Sequence, residues 1–192
     1  DSQSSDYTIP EQVKSAFESL PKTIQEYLRS HGINIIYDPD YIKSGTPGGY
    51  SPNSGNITVA NGDANTLLHE TIHAIQDVLG HMDGESRSAE EFQAHALCDL
   101  IAYINFCHYG SGYVFNLDFN LTEGDDAHKW DNFVYDCFDE DGNNFDREYF
   151  LEHVIEYFDI FQEAHPGVPG YSDPLEDNYQ WDWETFLNML GL

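Results

Sequence analysis

Apolar positions recur at helical spacing along most of the chain and alternate in only two short places. Leu68, Ile72, Ile75 and Leu79 stand at i, i+4, i+7 and i+11 within 65–80, which predicts an amphipathic helix turned toward a core. Asn61-Gly62-Asp63 ahead of it supplies a turn and an N-cap at Asp63, and Gly80 supplies a stop. Ala89, Phe92, Ala96, Leu100 and Ile104 mark a second helix over 87–107, with Ser86 or Ser88 able to cap its start. Further helical patterns cover 10–31, 126–138, 146–164 and 176–190, and His165-Pro166-Gly167-Val168-Pro169-Gly170 breaks the last two apart. Residues 33–37 and 56–60 read as short strands, while 44–55, rich in Gly, Pro and Ser, reads as a loop. The expected class is α+β, a small sheet with dominant helices and a helical C-terminal region. At this length one domain over 10–192 is expected, with 126–192 as an acidic helical part.

Chemistry is declared inside the first of these helices, at His69-Glu70-Thr71-Ile72-His73. Residues four apart share a helix face, so His69 and His73 can point two neutral imidazoles at a single ion. Glu70 stands at the edge of that face, where a carboxylate can hold and deprotonate a water. Zinc bound for catalysis takes three protein ligands and leaves a position open, so a third ligand is required downstream. The extended pattern His-Glu-x-x-His-x-x-Gly-x-x-His does not supply it, because Gln76 and Leu79 occupy its Gly and third-His positions. The next helix does offer carboxylates near its start, Glu90 and Glu91, one short loop away from His73.

With Glu91-Phe92-Gln93-Ala94 included, the segment 54–107 resembles the zincin metallopeptidases whose third ligand is a glutamate on the following helix, the gluzincin arrangement. In many small members that glutamate opens a Glu-x-x-Ala pattern. Glu91 matches it, whereas Glu90 has Gln93 where its Ala would stand. The resemblance implies a minimal zincin-like core, zinc on His69, His73 and Glu91, and Glu70 as catalytic base in peptide hydrolysis. In thermolysin-like members an Asp one turn after the ligand Glu orients a zinc histidine; here that position is His95. His95 is therefore a candidate ligand, a donor to a ligand or an oxyanion stabiliser, beside the plainer reading of a half-buried core histidine. Zincins often aim a phenol at the tetrahedral oxyanion, and Tyr103, Tyr109 and Tyr113 are the candidates for it. A competing expectation is an exported binding or structural protein whose metal only braces the helix pair. Glu70 favours the enzyme, because a purely structural site has no need of a carboxylate beside its first ligand.

Net charge adds a constraint. The chain carries -28, and from Gly110 onward its only Lys and Arg are Lys129 and Arg147. Such a surface repels phosphates, which argues against nucleic-acid partners and suits a cationic peptide substrate or simply a hydrated acidic face. No run of 18 apolar residues occurs, so no transmembrane segment is expected. The polar stretch within 1–9 reads as a tether, which leads to the expectation of an exported protein, secreted, periplasmic or lipid-anchored at the cell surface. Three cysteines do not suggest a disulfide scaffold. Cys98 and Cys107 lie too far apart along one helix to bridge, whereas Cys107 with Cys137 is an open pairing. Residues 137–148 approximate a calcium loop, with Asp139, Asp141, Gly142 and Glu148 at its third, fifth, sixth and twelfth positions. Its first position is Cys137, which is not an oxygen ligand, and an acidic turn between two helices accounts for the same residues.

Overall fold

The computed structural model describes residues 7–41, 45–82, 86–110, 128–164, 171, 175 and 179–192. Among them the architecture is α+β: eight α-helices and one three-stranded mixed sheet. The chain divides into two compact units, Asp1–Met82 with Leu187–Gly191, and Asp83–Phe186 with Leu192.

In the first unit a 3-10 turn, Glu11–Val13, leads into α1 (Lys14–Ser19) and α2 (Lys22–Ser30). A single helix over 10–31 was the expectation, and Pro21 divides it. Proline lacks an N–H and disfavours helical backbone in the residue before it, so Leu20 is extended at ψ 149 and Pro21 opens α2. Strands β1 (Asn34–Tyr37), β2 (Gly48–Ser51) and β3 (Asn56–Val59) follow, in the spatial order β1-β3-β2. β3 runs parallel to β1 and antiparallel to β2, with Gly48 opposite Val59 and Tyr50 opposite Ile57. β2 lies inside the stretch expected to be loop. Gly-Gly-Tyr-Ser has no apolar alternation of its own, and it becomes a strand by pairing with β3.

Helix α3 (Ala64–Val78) packs on β2, β3 and α1. Asp63 caps it, its carboxylate accepting from the Thr66 backbone N–H at 2.8 Å and from the Thr66 hydroxyl at 2.9 Å. Leu68, Ile72 and Ile75 of the predicted stripe are buried, but Leu79 is 36% exposed. That residue is the C-cap, past the last turn, so the apolar face ends at Ile75. Asp77 accepts from the Tyr50 hydroxyl at 2.6 Å and ties β2 to the helix. Residues 1–6 of the predicted tether lie outside the described residues. Tyr7 is docked, donating to the Ile33 carbonyl at 2.6 Å and packing its ring against Phe17.

The second unit is built on α4 (Arg87–Tyr109), which packs on α5 (Lys129–Asp136) and α7 (Glu156–Ala164). α6 (Arg147–His153) and α8 (Trp183–Leu190) are its other helices, α8 carrying its last turn into the first unit. Phe92 of α4 sits among Trp130, Phe158, Phe161, Trp181 and Trp183, with ring centroids 5.6 to 6.2 Å away. Fully buried Asp99 accepts from the Trp130 indole N–H at 2.9 Å, which answers the cost of placing a carboxylate there. Gln93 donates to the Trp181 carbonyl. Ser86 holds the N-cap position of α4 without a side-chain cap bond, so the predicted serine cap is not made; Ser88 accepts instead from Gln162. Gly110, at φ 63, ends the helix in the left-handed region that glycine tolerates.

Over 146–164 the expected single helix is two, α6 and α7, separated at Val154 and Ile155. Asp146 caps α6 by accepting from the Tyr149 N–H at 3.0 Å. At the C-terminus the helix begins at Trp183, and 179–182 is not helical. The starts expected at 126 and 176, the breaker 165–170 and Tyr113 lie outside the described residues. No described helix is long and apolar enough to cross a membrane.

Candidate metal centre

The Asp63 cap and the packing of Leu68, Ile72 and Ile75 fix the rotation of α3, and that rotation turns His69 and His73 to one side. His69 is half-buried and His73 is buried. Their Nε2 atoms lie 3.0 Å apart, with the two rings close to perpendicular. One turn from His73, its Nδ1 lies 2.8 Å from Gln76 Oε1. A carbonyl oxygen only accepts, so Nδ1 carries the proton and Nε2 presents its lone pair toward His69. An orienting acceptor behind a ligating imidazole is the usual support of a histidine metal ligand.

Gln76 was not recognised from sequence as part of the site. Its signal was present all the same: a polar residue three positions after His73, on the helix face that carries both histidines, and 1% exposed in the fold.

Glu70 follows His69 on the next position of the helix and is buried, at 7% exposure. Gly48 of β2 lies directly over its side chain. Among the described residues one group offers a metal three ligand atoms: His69, His73 and Glu91, all within 4.8 Å of one another. The set is near enough to hold a metal ion. Glu91, not Glu90, is the carboxylate in it. On α4, Glu91 Oε1 lies 3.7 Å from Arg87 Nε, and Oε2 lies 4.0 Å from His95 Nε2, one turn along. His95 therefore stands beside the carboxylate, and Glu90 is buried at 2% exposure.

Of the tyrosines singled out from sequence, Tyr103 and Tyr109 are among the described residues. Tyr103 is buried, packs its ring on Tyr135 and Phe138, and bonds Cys107; burial, followed by that bond, pushes its phenol up to about 12. Tyr109 stands in solvent at 79% exposure. A tyrosine that sequence reasoning passed over, Tyr41, lays its hydroxyl against the α-carbon of Gly49. Burial and then the Glu70 carboxylate raise its pKa, so Tyr41 feels the charge of the motif glutamate and stays protonated.

The approximate calcium loop is a self-contained turn. Phe138 and Phe145 form a bridge across it, and Gly142 N–H donates to the Asp139 carbonyl at 2.9 Å. The Asp139 carboxylate accepts from the Asn143 backbone N–H at 2.7 Å and from the Asn144 side-chain amide. Those bonds favour its charged form and hold its pKa below the ordinary value. All three cysteines are free thiols.

No family model, curated protein or solved structure matches the chain.

Proposed function

We propose that the chain is a zinc-dependent peptidase of the zincin type, with His69, His73 and Glu91 as metal ligands and Glu70 as general base. The observation that carries this reading is the paired imidazoles: the Nε2 atoms of His69 and His73 lie 3.0 Å apart, and Gln76 fixes the proton on His73 Nδ1, which leaves its Nε2 a lone pair. Two nitrogen donors and one carboxylate form a donor set that suits zinc and leaves a coordination position free for substrate chemistry. When bound there, zinc supplies a Lewis acid and lowers the pKa of a water toward about 7. Glu70, adjacent to the first ligand and largely shielded from solvent, takes the proton of the attacking water as its oxygen bonds to the scissile carbonyl carbon. The same carboxyl then gives that proton to the amine nitrogen as the C–N bond breaks. A strongly acidic surface favours peptides carrying Lys or Arg.

The test pairs metal content with hydrolysis. After zinc reconstitution, elemental analysis should find one zinc per chain in the wild type and in Glu70→Gln. The substitution keeps size and hydrogen bonding but removes the base, so cleavage of a broad peptide library should fall by roughly two to four orders of magnitude while the melting temperature holds. A zinc-loaded wild type that cleaves nothing in the library would leave the metal a bracing role and remove the enzyme reading.

A further inference from the structure

Gly48 begins β2 opposite Val59, at one end of the register with β3, and β2 packs against α3. Its backbone is not in the left-handed region, so conformational freedom does not explain a glycine there. Space does. A methyl in place of its α-hydrogen would lie 2.7 Å from Thr66 Cγ2, 3.1 Å from Glu70 Cγ and 3.3 Å from Glu70 Oε1. Thr66 cannot readily swing aside, because its hydroxyl is tied to Asp63 at 2.9 Å and rotation of the side chain would break that bond. The strand cannot readily lift either. Tyr50, two residues on and directed to the same side, is bonded to Asp77 at 2.6 Å, and the Ala60 N–H holds the Pro47 carbonyl at 2.7 Å. A side chain at position 48 would therefore press on Thr66 Cγ2 and, beside it, on the Cγ and Oε1 of Glu70.

We propose that Gly48 is a positioning residue for Glu70: its bare α-carbon gives the glutamate side chain the room that sets where its carboxylate stands. The kinetic consequence rests on the peptidase reading; the steric coupling does not. A displaced base loses its line to the reacting water, and misplacement by about 1 Å costs roughly 10²-fold in rate.

The experiment uses zinc-loaded full chain in a Thr66→Ser background. That change removes Cγ2 while keeping the hydroxyl bonded to Asp63, and it should leave activity and melting near wild type. Gly48→Ala added to it should lower kcat by roughly 10²-fold with KM nearly unchanged and lower the melting temperature by roughly 4 to 8 °C. Glu70→Ala, which removes the contacted atoms, should then abolish most of the melting penalty of Gly48→Ala. A penalty that is the same with and without the Glu70 side chain overturns the proposal, and so does a normal kcat in Gly48→Ala/Thr66→Ser. If the wild type cleaves no peptide, the peptidase reading falls alone, and the melting cycle still decides whether Gly48 makes room for Glu70.

Discussion

Two segments of this chain have the residue spacing of metal sites, and the fold treats them in opposite ways. In 137–148, acidic residues occupy the third, fifth and twelfth positions of a calcium loop, yet the Asp139 carboxylate is taken up by the Asn143 N–H and the Asn144 amide of its own turn. In α3, the Nε2 atoms of His69 and His73 face each other, and a neighbouring side chain, Gln76, accepts from His73 Nδ1 and leaves its Nε2 a lone pair. A helix satisfies its own amides internally and leaves side chains free to converge, whereas a tight turn offers unpaired amides that capture the nearest carboxylate. Spacing nominates ligands; which groups satisfy the local backbone decides whether they are available.

Removing one imidazole should separate the two segments most sharply. His73→Ala should lower zinc affinity by more than roughly 100-fold in competition with a chromogenic chelator, while Asp139→Ala leaves it unchanged. Equal losses from the two variants would refute the contrast. Next in size is the third ligand. Adjacent helical residues point about 100° apart, so Glu91→Ala should weaken zinc binding strongly and Glu90→Ala hardly at all. The reverse ranking would move the ligand to Glu90. Gln76→Ala should cost less than loss of a ligand, roughly 10- to 100-fold in affinity, because it frees the His73 ring without removing it. Affinity equal to wild type would reduce Gln76 to a bystander.

The smallest effect belongs to the acidic turn and is one of stability. The Asp139 pKa is depressed in the fold, so its contribution is present above the unfolded value of 3.8 and is lost as pH falls through the depressed folded value. Asp139→Ala should therefore melt below wild type at neutral pH, and the gap should close on acidification. A gap independent of pH would assign the loss to packing instead.

Much of the centre was legible because one helix carries it. Asp63, the apolar stripe and the four-residue spacing of His69 and His73 are local signals, and each specifies the same rotation of α3. Pro21 was an equally local signal, and its effect on Leu20 divides a helix that apolar periodicity alone runs together. Other features had no local signature. The apolar pattern continues through Val154 and Ile155, where α6 ends and α7 begins. β2 exists through its partner β3, and Gly48 reads as ordinary loop glycine until the fold brings it onto Thr66 and Glu70. Gln76 lies between these cases: its spacing from His73 was visible, but its role depends on burial beside the ring.

The aromatic cluster around Phe92 gives the protein an internal optical reporter. Trp130, Trp181 and Trp183 are all of its tryptophans, and all belong to the second unit. Trp181 and Trp183 stack with centroids 5.5 Å apart and planes 9° from parallel, close enough for their excited states to couple. Indole emission therefore reports on the second unit, while the unit that carries α3 and the sheet has no tryptophan to contribute.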